Sequence, residues 1–413
     1  MIKFKWETKF KKTEIGEIPR DWEINEIGEV ITQIEKGKVP EKFPGIYPYL
    51  SVDYLRGNLN NTEFYDKKAG VFVTKDDILI IWDGVINAGE IFRGREGLLS
   101  STMCRLEYDK VKIEREYFYH ALKLLEPIIR EARRGTDDRH VDKNMFLGLK
   151  IPYPPPEEQS RIATVLSWFD DLIENKKRQN EILEKVAMAI FKSWFVDFEP
   201  FEDEEFVYNE ELGKEIPRGW EVEELGEFVS TQYGFTASGE ETGKIKLLRI
   251  KDINKAFVID WDSVPFCNII NDIFQKYQLK NMDIVISRIG DIGKVAIVEN
   301  PPLSVFASYL IRLKIKNHKL TPYYLYYWLK APDYQEYIQG AAEGSTRPNT
   351  NAEVIKAGPI LIPPPSLIEK FEGVVFPIRS KIILNQKQIM VLRKIRDALL
   401  PKLVFGKLRV MEI

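Results

Sequence analysis

The sequence lacks several features that would assign it to common functional classes. Its 413 residues contain two cysteines, Cys104 and Cys267, which are too few and too far apart for a disulfide framework or a CxxC zinc site. Three histidines argue against a histidine-rich metal centre. No apolar run approaches the ~18 residues that a membrane helix needs, and none follows Met1. We therefore expect no signal peptide, no membrane contact and a cytoplasmic location.

Charge and catalytic loops are the next absences. The chain has 60 basic and 63 acidic residues, a net charge of −3, which excludes a uniformly basic nucleic-acid binder but not local basic patches. No glycine-rich cofactor loop or P-loop is present. The segment Asn300-Pro301-Pro302-Leu303 approaches an adenine-methylation loop, but Leu303 cannot stack on a flipped base, so we interpret it as a turn. We predict no catalytic residue, no bound metal and no cofactor.

What the sequence does contain is an internal repeat. Residues 17–31 (EIPRDWEINEIGEVI) and 215–229 (EIPRGWEVEELGEFV) are identical at nine of fifteen positions. Three further matches keep the same order, namely 77–80 with 283–286, 117–123 with 324–330, and 151–156 with 361–365. A period near 200 residues is the size of a domain, which indicates a tandem pair of similar domains.

Each copy begins with a strand-rich part and ends with a long helix. Short β-branched runs bounded by glycine and aspartate predict strands, and short aromatic helices are predicted at 115–125 and 322–330. Proline triplets precede helix-forming runs at 157–196 and 366–400. The predicted fold is α+β, with domains at 1–155 and 199–364 and spacer helices at 156–198 and 365–413.

Heptad spacing predicts that the two helices pair as a coiled coil, and the domain-sized segment between them leaves room for the second helix to return antiparallel to the first. The predicted seam residues are Ile162, Leu166, Phe169, Ile173, Asn180, Leu183 and Ile190 in the first helix, and Val375, Ile378, Ile382, Asn385, Ile389 and Leu392 in the second. Segment 157–200 has a net charge of −3 and segment 366–413 has +6, which favours pairing with each other. The alternative is that each helix packs only on its own domain.

The order of these motifs resembles the specificity subunit of type I restriction–modification systems. Ile-Pro-Arg-x-Trp-Glu opens each copy at 18–23 and 216–221, and proline triplets close each copy before a long helix. The resemblance covers essentially the whole chain. It implies a subunit without catalysis that binds a split target in double-stranded DNA, one half-site per domain. It also implies that the paired helices set the gap and dock two modification (methyltransferase) subunits, and that restriction (motor-nuclease) subunits join for cleavage.

The helix length gives an expected gap, and local basic residues give candidate contacts. About 37 helical residues span ~55 Å, or ~16 base pairs. Arginine can pair with guanine, asparagine with adenine, and lysine with phosphate. The candidate DNA-binding residues are Lys36, Lys38, Arg93, Arg95, Arg133, Arg134 and Arg139 in copy one, and Tyr233, Thr236, Arg249, Lys251, Arg288, Lys294, Arg347 and Asn349 in copy two.

The two copies differ where bases would be contacted. Copy one has Ile81-Trp82-Asp83-Gly84 where copy two has Ser287-Arg288-Ile289-Gly290. Such a departure is what two different half-sites require, so base-contacting residues cannot be transferred between copies. Two other hypotheses stay open: a tandem-domain protein–protein scaffold without DNA readout, and a divergent methyltransferase or nuclease.

Overall fold

Two compact units make up the chain. The computed structural model describes residues 2–57, 62–84, 87–131, 140–253, 257–341 and 349–412. Unit 1 comprises residues 1–173 and 391–413, and unit 2 comprises residues 174–390. Each unit holds one copy of the repeat together with part of both long helices.

The elements of the first copy run as follows. The strands are β1 (Lys3–Trp6), β2 (Phe10–Thr13), β3 (Gly16–Pro19), β4 (Glu23–Glu26), β5 (Ile31–Lys36), β6 (Pro44–Leu50), β7 (Phe64–Tyr65), β8 (Phe72–Val73), β9 (Ile78–Ile81), β10 (Ile91–Arg93), β11 (Gly97–Leu99), β12 (Met103–Tyr108) and β13 (Lys150–Tyr153). The helices are α1 (Ile27–Val30), α2 (Val52–Leu55), α3 (Arg115–Glu131), α4 (Lys143–Gly148) and α5 (Pro156–Phe195).

The second copy follows a similar order of elements, with α7 in place of one short strand and with the additional helix α9. Its strands are β14 (Phe206–Asn209), β15 (Lys214–Pro217), β16 (Glu221–Glu224), β17 (Val229–Tyr233), β18 (Ile245–Leu248), β19 (Phe266–Cys267), β20 (Ile284–Ser287), β21 (Val295–Ile297), β22 (Ser304–Phe306), β23 (Leu310–Ile315) and β24 (Pro359–Ile362). Its helices are α6 (Ile250–Ile253), α7 (Asn271–Tyr277), α8 (Pro322–Lys330), α9 (Pro332–Gly340), α10 (Ala352–Ala357) and α11 (Pro365–Val404), and β25 (Leu408–Glu412) ends the chain.

In unit 1 a central strand separates two cores. The main sheet has the order β10-β9-β12-β5, and a second sheet has the order β7-β6-β11-β8. Because side chains alternate along a strand, Ile78 and Ile80 of β9 enter the core beneath α3, whereas Leu79 and Ile81 enter the core of the second sheet. This explains why the run ILII is apolar at every position. The first and last strands, β1 and β25, pair within this unit.

Unit 2 repeats this plan. Its main sheet has the order β17-β23-β20-β21, and its second sheet has the order β19-β18-β22. An equivalent tyrosine joins each helix to the strand that precedes the long helix: Tyr117 of α3 donates to the carbonyl of Pro152 in β13, and Tyr324 of α8 donates to that of Leu361 in β24, both at 2.7 Å. The predicted helices at 115–125 and 322–330 are confirmed by α3 and α8.

The two long helices have 40 residues each, and α11 continues through Gly373 and Pro377. In unit 2, Asn180 of α5 bonds to Asn385 of α11, and one turn further along α5, Glu184 contacts Arg379, which is earlier in α11. In unit 1, Asp170 contacts Arg396. The two contacts in unit 2 show that the pairing is antiparallel, as predicted, and the ends of the helices also pack against the globular cores.

Candidate nucleic-acid interface

In unit 2, loops from three separate segments meet at the end of the main sheet where β17 and β20 terminate, and we call this end the sheet edge. Strands β17 and β20 both run antiparallel to β23 and end beside its first residues. There the Arg288 guanidinium carbon lies 5.3 Å from the centre of the Tyr233 ring. Arg288 donates from Nε to the carbonyl of Ser308 at 3.0 Å and from Nη1 to Asn349 Oδ1 at 3.5 Å. The structure thus brings three predicted DNA-binding residues together.

Three other predicted residues of unit 2 follow sheet strands: Thr236 follows β17, Lys294 follows β20, and Lys251 lies in α6 after β18 of the second sheet. Thr236, Lys251 and Lys294 are exposed. Arg249 directly follows β18 but makes a two-bond ion pair with the buried carboxylate of Asp252, through Nε at 2.8 Å and Nη2 at 2.9 Å. This bidentate pairing occupies most of the guanidinium fork, so Arg249 is better suited to shaping the loop than to contacting DNA.

The edge of unit 1 carries a different set of groups. Lys36 ends β5 and Lys38 follows two residues later, and both are exposed. Lys36 Nζ lies 2.6 Å from Asp83 Oδ2, with the side chains 55% and 36% exposed. This hydrogen bond raises the pKa of Lys36 despite the opposing effect of burial. Trp82 packs edge-on against Phe146, with ring centres 6.0 Å apart.

Backbone contacts show that the two edges are built on one scaffold. A Cβ on Gly37 would lie 2.1 Å from the carbonyl oxygen of Ser100, and one on Gly234 would lie 2.2 Å from that of Ala307. Only glycine allows so close an approach of two backbones. Gly37 and Gly234 therefore occupy equivalent positions, directly after β5 and β17, which are the first main-sheet strands of the two copies.

The loop after the central strand is equivalent in the same way. The Val141 amide donates to the carbonyl of Trp82 at 2.9 Å, and the Thr350 amide donates to that of Arg288 at the same distance. Consequently Trp82 corresponds to Arg288. The next residue along forms an isolated bridge in both copies, Asp83 with His140 and Ile289 with Asn349.

On this common scaffold the side chains exchange places. The cation of unit 2, Arg288, follows the central strand, and the aromatic Tyr233 ends the outer strand. In unit 1 the aromatic Trp82 follows the central strand and the cation Lys36 ends the outer strand. The two edges thus have the same backbone but different arrangements of donors and acceptors.

The structure places two predicted contacts of copy one elsewhere. Arg93 pairs with Ile78 at the far end of the sheet, and its guanidinium contacts carboxylates of Glu116 and Asp170, both at 2.7 Å. This commitment argues against the predicted DNA contact by Arg93. Arg95 is exposed but follows Arg93, away from Lys36 and Lys38. Arg133, Arg134, Arg139 and Arg347 lie outside the described residues.

The predicted helix-pairing residues are all buried or half-buried in α5 and α11. Asn385 Nδ2 donates to Asn180 Oδ1 at 2.9 Å, and both side chains are buried. The buried seam residues are Ile162, Leu166, Ile173, Asn180, Val375, Ile382, Asn385 and Ile389, and the half-buried ones are Phe169, Leu183, Ile190, Ile378 and Leu392.

A buried ionic cluster joins the helices of unit 2 to its globular part. Arg379 has no exposed surface and contacts Glu184 of α5 at 2.6 Å and Glu299 beside β21. Lys330 of α8 lies 2.5 Å from Glu184. Burial raises the pKa of Glu184, but Lys330 and Arg379 outweigh it, so the pKa lies below its ordinary value.

Unit 1 has an ionic cluster of the opposite polarity. Its central residue is the acid Asp170 of α5, which contacts Arg93 at 2.7 Å and Arg396 of α11 at 2.6 Å. Asp170 and Arg379 each lie fourteen residues after the first residue of their helix. Burial raises the pKa of Asp170, but the neighbouring cations lower it further, below the ordinary value.

Sequence reasoning missed both ionic clusters. One signal was available: aligned from their proline starts, the two helices place an acid and a base, Asp170 and Arg379, at equivalent inner positions.

Within the described ranges, no group of three His, Cys, Asp or Glu side chains could hold a metal ion. Likewise, none of the described helices is long and apolar enough to span a bilayer. The segment at Asn300 is a loop between β21 and β22, and Asn300 has a φ of 47°.

These features define a duplicated α+β fold in which each copy leads into one of two paired long helices. Residues 19–185 and 217–390 match the family model described as the type I restriction modification DNA specificity domain. The chain therefore belongs to the family of type I restriction–modification specificity subunits, as the resemblance predicted.

Individual relatives cover the full length. The chain is 39% identical to the type I restriction enzyme MjaIX specificity subunit and 33% identical to the MjaVIII specificity subunit, both of Methanocaldococcus jannaschii. Each alignment covers 100% of this chain and 99% of the relative. A crystal structure of a type I restriction–modification S subunit from M. genitalium has the same fold, with a TM-score of 0.51 and 21% identity over 93% of this chain and 96% of that chain.

Proposed function

We propose that each unit contacts one half of a bipartite target in double-stranded DNA through the sheet edge described above. The observation that carries this proposal is the common scaffold with exchanged side chains, because two half-sites of different sequence need the same approach but different donors and acceptors. The functional division that we propose is 1–155 and 199–364 for recognition, with 156–198 and 365–413 as spacer helices.

In unit 2 the proposed base contacts are Arg288 with guanine and Asn349 with adenine. The exposed Thr236, Lys251 and Lys294 lie where they would contact phosphates, and the stacked Tyr233 holds the Arg288 guanidinium in place. In unit 1, Lys38 is retained as a contact, and so is Lys36, because its one exposed ion pair with Asp83 leaves two ammonium donors available. Arg93 and Arg249 are not, because carboxylates occupy them.

The helices are proposed to dock two modification subunits. Ile182 and Val186 of α5 are exposed and four residues apart, as are Val391 and Ile395 of α11. Both pairs begin twenty-six residues after the first residue of their helix, so each unit presents an equivalent apolar pair. Two equivalent patches favour two copies of one partner. Restriction subunits are proposed to join this complex, and the chemistry of methylation and cleavage is assigned to these partners.

Exchange of one recognition segment tests independent readout. The chain is co-expressed with its modification subunit, residues 1–155 are replaced by those of a relative, and target duplexes are selected from a random pool. One half-site should change and the other should remain. A change in both half-sites, or in neither, contradicts the proposal.

Shortening both helices by one heptad tests the spacer role. Seven residues correspond to about 10.5 Å of helix, or about three base pairs. The selected gap should change by that amount while both half-sites stay the same. If the gap is unchanged, the helices do not set it.

The scaffold alternative has its own test. If the chain only joins proteins, the complex with modification subunits should retain random duplex DNA without selecting a sequence. Sequence-selective retention that weakens steeply with salt supports the specificity role, because phosphate contacts release counterions.

A further inference from the structure

Asp83 is an acid at the place in unit 1 that corresponds to the Arg288 site of unit 2. It directly follows Trp82, the residue equivalent to Arg288, and forms the same isolated bridge as Ile289 does in unit 2. Its carboxylate is 36% exposed at the sheet edge where unit 1 would meet DNA. DNA phosphates would repel a carboxylate at this place, so its presence calls for a favourable contact that offsets the repulsion.

The ion pair with Lys36 lowers the repulsion without consuming the carboxylate. Lys36 Nζ contacts Oδ2 at 2.6 Å. A carboxylate has two oxygens and about four acceptor sites, so one ammonium contact leaves acceptor capacity on the group. Both groups are carried by strand ends, since Lys36 is the last residue of β5 and Asp83 lies two residues after β9.

Resting on the proposed function, we propose that Asp83 is a specificity-determining residue of unit 1 that accepts a hydrogen bond from an exocyclic amino group of a base. In the major groove, cytosine N4 and adenine N6 are the amino donors, and carboxylates pair with cytosine N4. Unit 2 uses the opposite polarity, because Arg288 donates to the acceptors of guanine. The two half-sites are therefore distinguished by an acceptor in one unit and a donor in the other.

The test uses the chain in complex with its modification subunit and selection from a random duplex pool. Asp83→Ala removes the acceptor. Asp76→Ala is the matched control, because Asp76 is 59% exposed, contacts Arg115 at 2.6 Å and lies at the start of β9, at the opposite edge. Asp83→Ala should reduce discrimination roughly ten- to a hundredfold at one position of one half-site. Asp76→Ala should leave every position unchanged.

A second measurement identifies the atom. At the affected position, the amino group of the base is replaced by hydrogen, and binding of both proteins to this duplex is measured. Wild-type protein should lose roughly tenfold or more in affinity, whereas Asp83→Ala should lose nothing further, because its contact is already gone.

The outcomes separate this inference from the proposed function. If the wild-type complex selects no bipartite sequence, the proposed function fails. If it selects one but Asp83→Ala changes no position, or if removing the amino group weakens both proteins equally, the role of Asp83 is overturned and the proposed function stands.

Discussion

Both units have an ionic cluster where the long helices meet the globular core, but the charges of the two clusters are inverted. Unit 2 has a central base, Arg379, between the acids Glu184 and Glu299, and all three are buried. Unit 1 has a central acid, Asp170, between Arg93 and Arg396, and these arginines are about a third exposed. In each unit the cluster joins both helices to a globular core.

The inversion shows that duplication preserved the position of the cluster and not its chemistry. Because the central residue is a base in one unit and an acid in the other, its charge is complementary to the neighbours in its own unit and not to those in the other unit. The difference in burial also predicts different energetics, since a buried charge that loses its partner costs far more than an exposed one.

The largest effect is expected from Arg379→Met. Loss of the guanidinium leaves Glu184 and Glu299 buried with fewer counter-charges, which should lower the free energy of unfolding of unit 2 by about 3–5 kcal/mol. Hydrogen exchange followed by mass spectrometry measures this for each unit separately. Arg178→Met, at an exposed position of α5, is the control and should have almost no effect. Equal loss of protection in both units would contradict the assignment of this cluster to unit 2.

Glycine substitution at the two sheet edges comes next. Gly234→Ala places a methyl group about 2.2 Å from the carbonyl oxygen of Ala307, which forces the loop apart and should cost about 1–3 kcal/mol. Gly37→Ala should do the same in unit 1. In target selection each variant should degrade one half-site, and the two variants should degrade different ones. Gly148→Ala, where a Cβ meets nothing within 4 Å, serves as the control.

Acid should destabilise unit 1 through His120, a residue for which unit 2 has no equivalent histidine. Burial, opposed only in part by Asp170, lowers the pKa of His120 to about 3. Below the ordinary value of ~6.5 the unfolded chain binds a proton that the folded chain does not, so stability falls as pH falls. From pH 6.5 to 5 the loss is about 2 kcal/mol at most.

Unit 2 has Tyr327 at the equivalent position, so His120→Gln should remove this component of the pH dependence in unit 1 and leave unit 2 unchanged. Denaturant unfolding at pH 7 and pH 5, resolved by unit through hydrogen exchange, measures it. An unchanged slope in His120→Gln would assign the acid sensitivity to other groups.

The smallest effect concerns the asparagine pair of unit 2. Asn385→Leu leaves the buried Asn180 amide without its partner and should cost about 1 kcal/mol. The double variant Asn180→Leu/Asn385→Leu removes both polar groups and should recover that loss. Chemical denaturation of the two variants measures the coupling. Additive losses would show that the two amides do not act as a pair.

The repeat, the long helices and their pairing could be predicted because each has a local signature. Heptad spacing and proline starts lie within single segments, and the identity between 17–31 and 215–229 needs no structure. The convergence of Tyr233, Arg288 and Asn349 was predicted only as a set of candidates, because their proximity depends on strand order.

The sequence could not reveal which charged residues are occupied. The residues next to Arg93 and Arg249 in the sequence are similar to those next to Arg288. Their carboxylate partners, Asp170 and Asp252, are set by the folded structure. The same holds for Asp83: the difference between the copies at 81–84 includes it, but its ion pair with Lys36 is formed only by tertiary packing.

The pairing of β1 with β25 has a consequence for biosynthesis. Unit 2 is one continuous stretch, residues 174–390, whereas unit 1 needs residues 391–413, including the buried Leu408 and Val410, to complete its core. Domains fold as units while the chain is synthesised from its amino end. Unit 2 can therefore finish folding first, although it begins later in the chain. Unit 1 must wait until β25 has left the ribosome, so a nascent chain that stops before residue 408 acquires unit 2 but not a complete unit 1.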